Sequence, residues 1–196
     1  MAITKLVSDS LGAGVGGSMV KLAETDVVTN TANVDFDSTI ITSTYKVYKI
    51  FCTGILVDTD NTNVAVRVST DGGSTFDSTS IYDRITLNPY SGGSNDAISS
   101  RYSSTSNMPL SNIASQGNSA NEEHGEYEFT IFNPSATNSW KIFTVTGGFV
   151  DYNNDRRMSF ATYHYRSASA VNGIRFLNSS GNNIAGGKFV VYGVAD

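Results

Sequence analysis

Alternation of apolar and polar side chains is the feature that most constrains this chain. In residues 125–133, Tyr127, Phe129 and Ile131 alternate with Glu126, Glu128 and Thr130. A period of two puts the two sets on opposite faces of a β-strand, whereas a helix needs apolar residues three and four apart. The same period runs through residues 45–57, where Tyr48, Ile50 and Cys52 share a face. It recurs in residues 63–69, where Val64, Val66 and Val68 oppose Ala65 and Arg67. Further strands are expected at 26–37, 80–86, 140–150, 158–165, 173–177 and 187–194. Eight or nine strands broken by Gly, Asn and Pro turns predict an all-β, antiparallel β-sandwich, jelly-roll-like.

The turns have mechanisms. Asp71-Gly72-Gly73 supplies positive φ between two strands. Pro134, after Asn133, cannot donate to a ladder and stops a strand. Ser180-Gly181-Asn182-Asn183 reads as a hairpin turn between the last two strands.

Two regions depart from the pattern. Residues 1–24 hold the run Leu11-Gly12-Ala13-Gly14-Val15-Gly16-Gly17-Ser18-Met19, too rich in glycine for a helix and too poor in apolar residues for a core. It reads either as a frayed terminus or as an extended glycine-rich N-terminal attachment arm whose anchors are Leu11, Val15 and Met19. Residues 25–196 then form a single sandwich domain. Residues 88–122 form a long polar loop, with Met108-Pro109-Leu110 as a small anchor in its middle.

Composition excludes several functions. The 196 residues carry a net charge of −5, with 16% charged and 11% aromatic residues. The aromatic content supports a packed core. A general nucleic-acid binder needs a basic stripe, and the adjacent pair Arg156-Arg157 is flanked by Asp151 and Asp155. An anionic membrane is disfavoured for the same reason, and there is no run of apolar residues long enough to span one. One cysteine, Cys52, cannot form an intrachain disulfide. Met1-Ala2-Ile3-Thr4-Lys5 lacks the apolar region of a signal peptide, so synthesis in a cytoplasm is expected.

No catalytic set emerges. His124 follows Glu122-Glu123 without spaced metal ligands, and His164 lies between Tyr163 and Tyr165 on a strand, as a surface or interface residue. Cys52 reads as a buried small hydrophobe. Glu126 and Glu128 project from one wet strand face with no sign of a pocket. Asp58, Asp60 and Asn63 make a candidate calcium loop, but the EF-hand glycine and distal glutamate are absent and a polar turn explains the same letters. Ser69-Thr70-Asp71-Gly72-Gly73-Ser74-Thr75-Phe76 resembles the Asp-box of sialidase propellers. That motif is a structural turn, tied by its aspartate with an aromatic packed beneath, and a propeller would show several copies. The chain is therefore expected not to be an enzyme and to need no cofactor.

Three stretches carry a wider resemblance. They are the glycine run 11–19; Tyr45-Lys46-Val47-Tyr48-Lys49-Ile50 with Val66-Arg67-Val68-Ser69-Thr70-Asp71-Gly72-Gly73; and Val171-Asn172-Gly173-Ile174-Arg175-Phe176 with residues 180–189 and Val191-Tyr192-Gly193-Val194. They resemble the N-terminal stretch, first hairpin and C-terminal strand pair of small virion surface proteins of tailed bacteriophages. The resemblance implies a non-enzymatic protein on the virion surface, decorating the capsid or forming part of a short fibre. Capsid or tail proteins would be its partners, and a homotrimer its state. The last strand is apolar on both faces, so it is either central or part of a subunit interface through Phe189, Val191, Tyr192 and Val194. The alternative function is a module that recognises host glycans, with Tyr90, Tyr102, Tyr152 and Asn153 as contacts.

Overall fold

The computed structural model of the chain describes residues 19–88, 98–111, 115–120 and 122–195. Within them every regular element is a strand. In chain order these are β1 (Met19–Val27), β2 (Asn33–Phe36), β3 (Val47–Val57), β4 (Val64–Ser69), β5 (Tyr82–Asn88) and β6 (Ile98–Thr105). They continue with β7 (Met108–Pro109), β8 (Gly125–Phe132), β9 (Lys141–Val150), β10 (Arg156–Tyr165), β11 (Gly173–Asn178) and β12 (Ile184–Val194). The expected all-β, antiparallel sandwich is what forms, with twelve strands in place of eight or nine.

The strands divide into an eight-stranded sheet, in the order β1-β12-β3-β8-β9-β10-β5-β6, and a four-stranded sheet, β2-β11-β4-β7. All pairings are antiparallel. The core lies between the sheets. Tyr48, Ile50 and Cys52 of β3 and Phe129 and Ile131 of β8 meet Val66 and Val68 of β4 and Ile174 and Phe176 of β11, all fully or nearly fully buried. Burying one such side chain stabilises by about 1.5–3 kcal/mol, so these two inward faces dominate the fold. In β3, Gly54 adopts φ +61° and the register with β8 shifts between Cys52 and Ile55. This bulge keeps Ile55 and Val57 facing inward after the alternation changes phase.

Several expected connections are corrected. Residues 26–37 form no single strand: β1 ends in the large sheet and β2 begins in the small one. β3 and β4, read as a first hairpin, lie in different sheets, and so do β11 and β12, read as a C-terminal pair. The turns at Asp71–Gly73 and Ser180–Asn183 carry the chain from one sheet to the other. Antiparallel strands on two facing layers show the same alternation as strands in one layer, so pattern alone cannot assign partners.

Residues 19–24, expected within a free arm, belong to β1 and pair with β12. A register shift between Lys21 and Ala23 breaks the alternation that would have marked them as strand. The proposed anchor Met19 is thus a strand residue paired with Val194, while Leu11 and Val15 lie outside the described residues. Residues 88–122 are not one loop. They contain β6, a Ser/Thr-rich edge strand, and β7. The expected anchor holds: Met108 and Leu110 are fully buried. Tyr163 donates to the carbonyl of Pro109 at 2.5 Å and Ser159 donates to that of Leu110, so the large sheet grips this segment from across the core.

Candidate binding surface

The outward residues of the large sheet divide into two halves. On β1, β12 and β3 they are largely satisfied among themselves. Lys188 pairs with Glu24 at 3.0 Å and Asp26 at 3.3 Å, Lys21 pairs with Glu24, and Lys49 pairs with Glu128 of β8. Phe51 and Tyr192 meet edge to face at 5.7 Å. On β9, the middle of β10 and the end of β5 the outward residues are uncharged and mostly apolar or threonine, bordered by Glu126 and Glu128 of β8, Asp83 of β5 and Arg156 of β10. Register sets them in rows: Phe132, Ile142, His164 and Asp83; Thr130, Thr144, Thr162 and Ile85; and Glu128, Thr146, Phe160 and Leu87. Met158 follows beyond Phe160. Met158 is 55% exposed, Ile85 54%, Phe160 48%, and Leu87 and Ile142 just over 40%. Their inward neighbours, Phe143, Val145, Ala161 and Tyr163, are buried. β9, β10 and β5 are therefore apolar on both faces over this stretch, as a wet sheet face is not.

At one end of this face, Asp83, Arg84, Ile85, Tyr102, Trp140 and His164 line an open cleft of about 380 Å³. Trp140, the chain's one tryptophan, is 56% exposed. The Arg84 guanidinium stands 4.2 Å over the Tyr102 ring. Asp83 accepts from the Ser104 amide at 3.0 Å and lies 3.4 Å from Arg166. Exposed aromatic faces beside a few polar groups suit a flat ligand with hydroxyls.

The expected glycan contacts do not converge. Tyr102 lies in this cleft. Tyr152 and Asn153 are exposed in the β9–β10 turn, at the far end of that hairpin from Trp140 and His164. Tyr90 lies outside the described residues. The turn they occupy is structural: the fully buried Asp151 accepts from the amides of Asn153 (2.9 Å) and Asp155 (3.0 Å) and from Arg157 Nε at 2.5 Å. Trp140 and His164 were missed as cleft residues because they join Tyr102 only through the register of β9, β10, β5 and β6.

Of the two readings of the last strand, central or at a subunit interface, the central one is what forms. β12 is central, paired with both β1 and β3. Phe189 and Val191 are buried in the core and cannot reach another subunit. Tyr192 and Val194 point outward and are half-buried against neighbouring strands.

The other candidates are committed to the fold. Asp58 accepts from the backbone and side-chain nitrogens of Asn183 at 3.0 and 2.9 Å, and Asn63 accepts from Ser111. These two calcium candidates are thus used to tie loops. Cys52 is fully buried, and its desolvation raises the thiol pKa well above the ordinary range, which suppresses thiolate chemistry. His124 and His164 are half-buried. Asp71 accepts from Thr75 Oγ1 at 2.6 Å, the Thr75 amide at 2.9 Å and Ser69 Oγ at 2.7 Å, and Arg175 covers the Phe76 ring at 4.2 Å. The Asp-box-like stretch therefore serves as a turn, though between sheets and not within a hairpin.

Glu126 also has a local duty, accepting from the Gly54 amide of the β3 bulge at 2.8 Å. Gln116, which the polar reading of 88–122 gave no role, is fully buried: it donates to the carbonyls of Ile55 and Glu123 and accepts from the Tyr127 hydroxyl. No protein-family model, curated protein or solved structure matches the chain.

Proposed function

We propose that this chain is a non-enzymatic structural protein that works by association: a virion surface protein of the tailed-phage type, decorating a capsid or forming part of a short fibre. The observation that supports it best is the exposed apolar face on β9, β10 and β5, reached by Phe132 of β8. A contiguous patch of that kind marks a surface that meets another protein. The resemblance of residues 11–19, 45–50 with 66–73, and 171–176 with 180–189 and 191–194 supplies the virion context. Residues 1–18 serve as the attachment arm, shortened from 1–24 because Met19–Glu24 are strand.

The test is incorporation. Virions assembled with a chain lacking residues 1–18, or with Phe160→Glu, are purified and the chain is quantified by mass spectrometry. Loss of the chain in both cases, with the melting temperature unchanged, is the expected result. Normal incorporation of both would defeat the proposal.

A second reading, recognition of a host glycan, is favoured by the cleft at Trp140, Tyr102 and His164. As Trp140 is the sole tryptophan, its fluorescence reports that cleft directly. Titration with neutral and acidic oligosaccharides should shift the emission, and an unchanged spectrum at saturating sugar removes this reading.

A further inference from the structure

We infer that the occupant of the apolar outer face is a second copy of this chain, packed sheet to sheet about a two-fold axis. This rests on the reading of the protein as one that works by association and names its partner. Two observations carry it beyond a general sticky patch.

The first is area. The exposed surfaces of Ile85, Leu87, Phe132, Ile142, Met158 and Phe160, with the threonines between them, amount to roughly 600 Å² per copy, or about 1,200 Å² over two copies. Two such faces together reach the lower end of the area of a specific, stable interface, and each lies at the upper end of the apolar patches found on monomers.

The second is charge. The chain carries −5, yet the outward residues of β9 from Ile142 to Gly148, of β10 from Met158 to Thr162, and Ile85 and Leu87 of β5 are all uncharged. Charged residues border this patch, Glu126 and Glu128 on β8, Asp83 on β5 and Arg156 on β10, with Glu128 paired to Lys49 and Asp83 to Arg166, while the Lys21, Glu24, Lys188 and Asp26 pairings lie on the far half of the sheet. Two copies of an acidic protein repel wherever like charges face each other. Here the centre of the apolar surface, among the described residues, sets no like charges against each other. A face that meets itself about a two-fold axis closes with two subunits, because each copy then spends that face on the other. The homotrimer implied by the resemblance would need two different surfaces. Pairing would also cover Ile85, one wall of the Trp140 cleft, so self-association and glycan binding compete for that residue.

The test is the mass of the full-length chain in solution by sedimentation equilibrium. A species of twice the 20.9 kDa chain mass is expected. Phe160→Glu and Ile85→Glu, each placing two charges at the centre of the contact, should weaken association by about tenfold or more. Lys21→Gln on the charged half should leave it unchanged. Melting curves check that each variant is folded. A measurement on the unsubstituted protein runs in parallel: peroxide oxidation of Met158, followed by mass spectrometry, should slow as concentration rises. A monomer throughout with concentration-independent oxidation overturns the inference, as does a trimer or a dimer indifferent to both glutamate variants. If the chain is monomeric but Phe160→Glu still abolishes incorporation into virions, this inference fails and the proposed function stands, with a different virion protein on the face.

Discussion

Phe176 of the small sheet and Phe189 of the large sheet meet across the core with ring centroids 4.8 Å apart. They lie on β11 and β12, consecutive in the chain yet in different layers. Phe176 also stands edge-on to Phe129 at 6.1 Å and to Phe36 at 6.3 Å. One side chain thus joins four strands. Phe176→Ala should destabilise the protein by about 3–5 kcal/mol, since it removes transfer energy and leaves a cavity that rigid sheets cannot close. Urea unfolding checks this through the midpoint, with the slope unchanged.

Tyr82 links the sheets by a polar route. Its hydroxyl accepts from the Val68 amide at 3.1 Å and donates to the Asp77 carbonyl at 2.9 Å. Tyr82→Phe keeps the ring but strands a buried N–H on β4. A loss of about 1–3 kcal/mol is expected, measured as for Phe176, and an unchanged stability would mean that water reaches Val68.

Alkali should unfold the protein before its core tyrosines ionise. Burial raises the pKa of Tyr82, Tyr127 and Tyr163 far above the ordinary value, and burial with the neighbouring Asp77 carboxylate brings Tyr165 to about 12. In each case the folded state favours the neutral phenol. The stability this gives is therefore whole below the unfolded value of about 10 and is lost as pH rises toward the folded ones. Absorbance at the tyrosinate band should show an early exposed class and a late class that appears together with loss of structure.

Acid should act on the Ser69–Phe76 turn in the opposite sense. Hydrogen bonds from the Thr75 side chain and amide, then from Ser69, hold Asp71 at about 2. A depressed carboxylate stabilises above its unfolded pKa of about 3.9 and ceases to do so as pH falls through its folded value. The melting-temperature gap between the parent chain and Asp71→Asn should be constant above pH 5 and narrow between pH 4 and 2.

Cys52 should resist thiol reagents in the native protein and react fully once unfolded, because its Sγ is buried beside Ile50 with its pKa raised by desolvation. Rapid native labelling would show that β3 opens locally.

The sequence alone determined the class of the fold and, in a strand with one polar face such as β8, which residues face inward. Tyr127, Phe129 and Ile131 point to the core because strand geometry turns every second residue the same way, and only local spacing is needed to see it. The turn chemistry of Asp71 and Pro134 was legible for the same reason. Tertiary structure decided which strands share a sheet, since the alternation in β11 and β12 is identical whether they pair or face each other. It also decided that Met19–Glu24 and the serine-rich β6 are strands, because an edge partner supplies what their own pattern lacks. Above all it gathered Ile85, Ile142, Met158 and Phe160 onto one uncovered face. Each of these residues, met singly in the chain, reads as an ordinary strand residue. Only the register of β5, β9 and β10 makes them a surface.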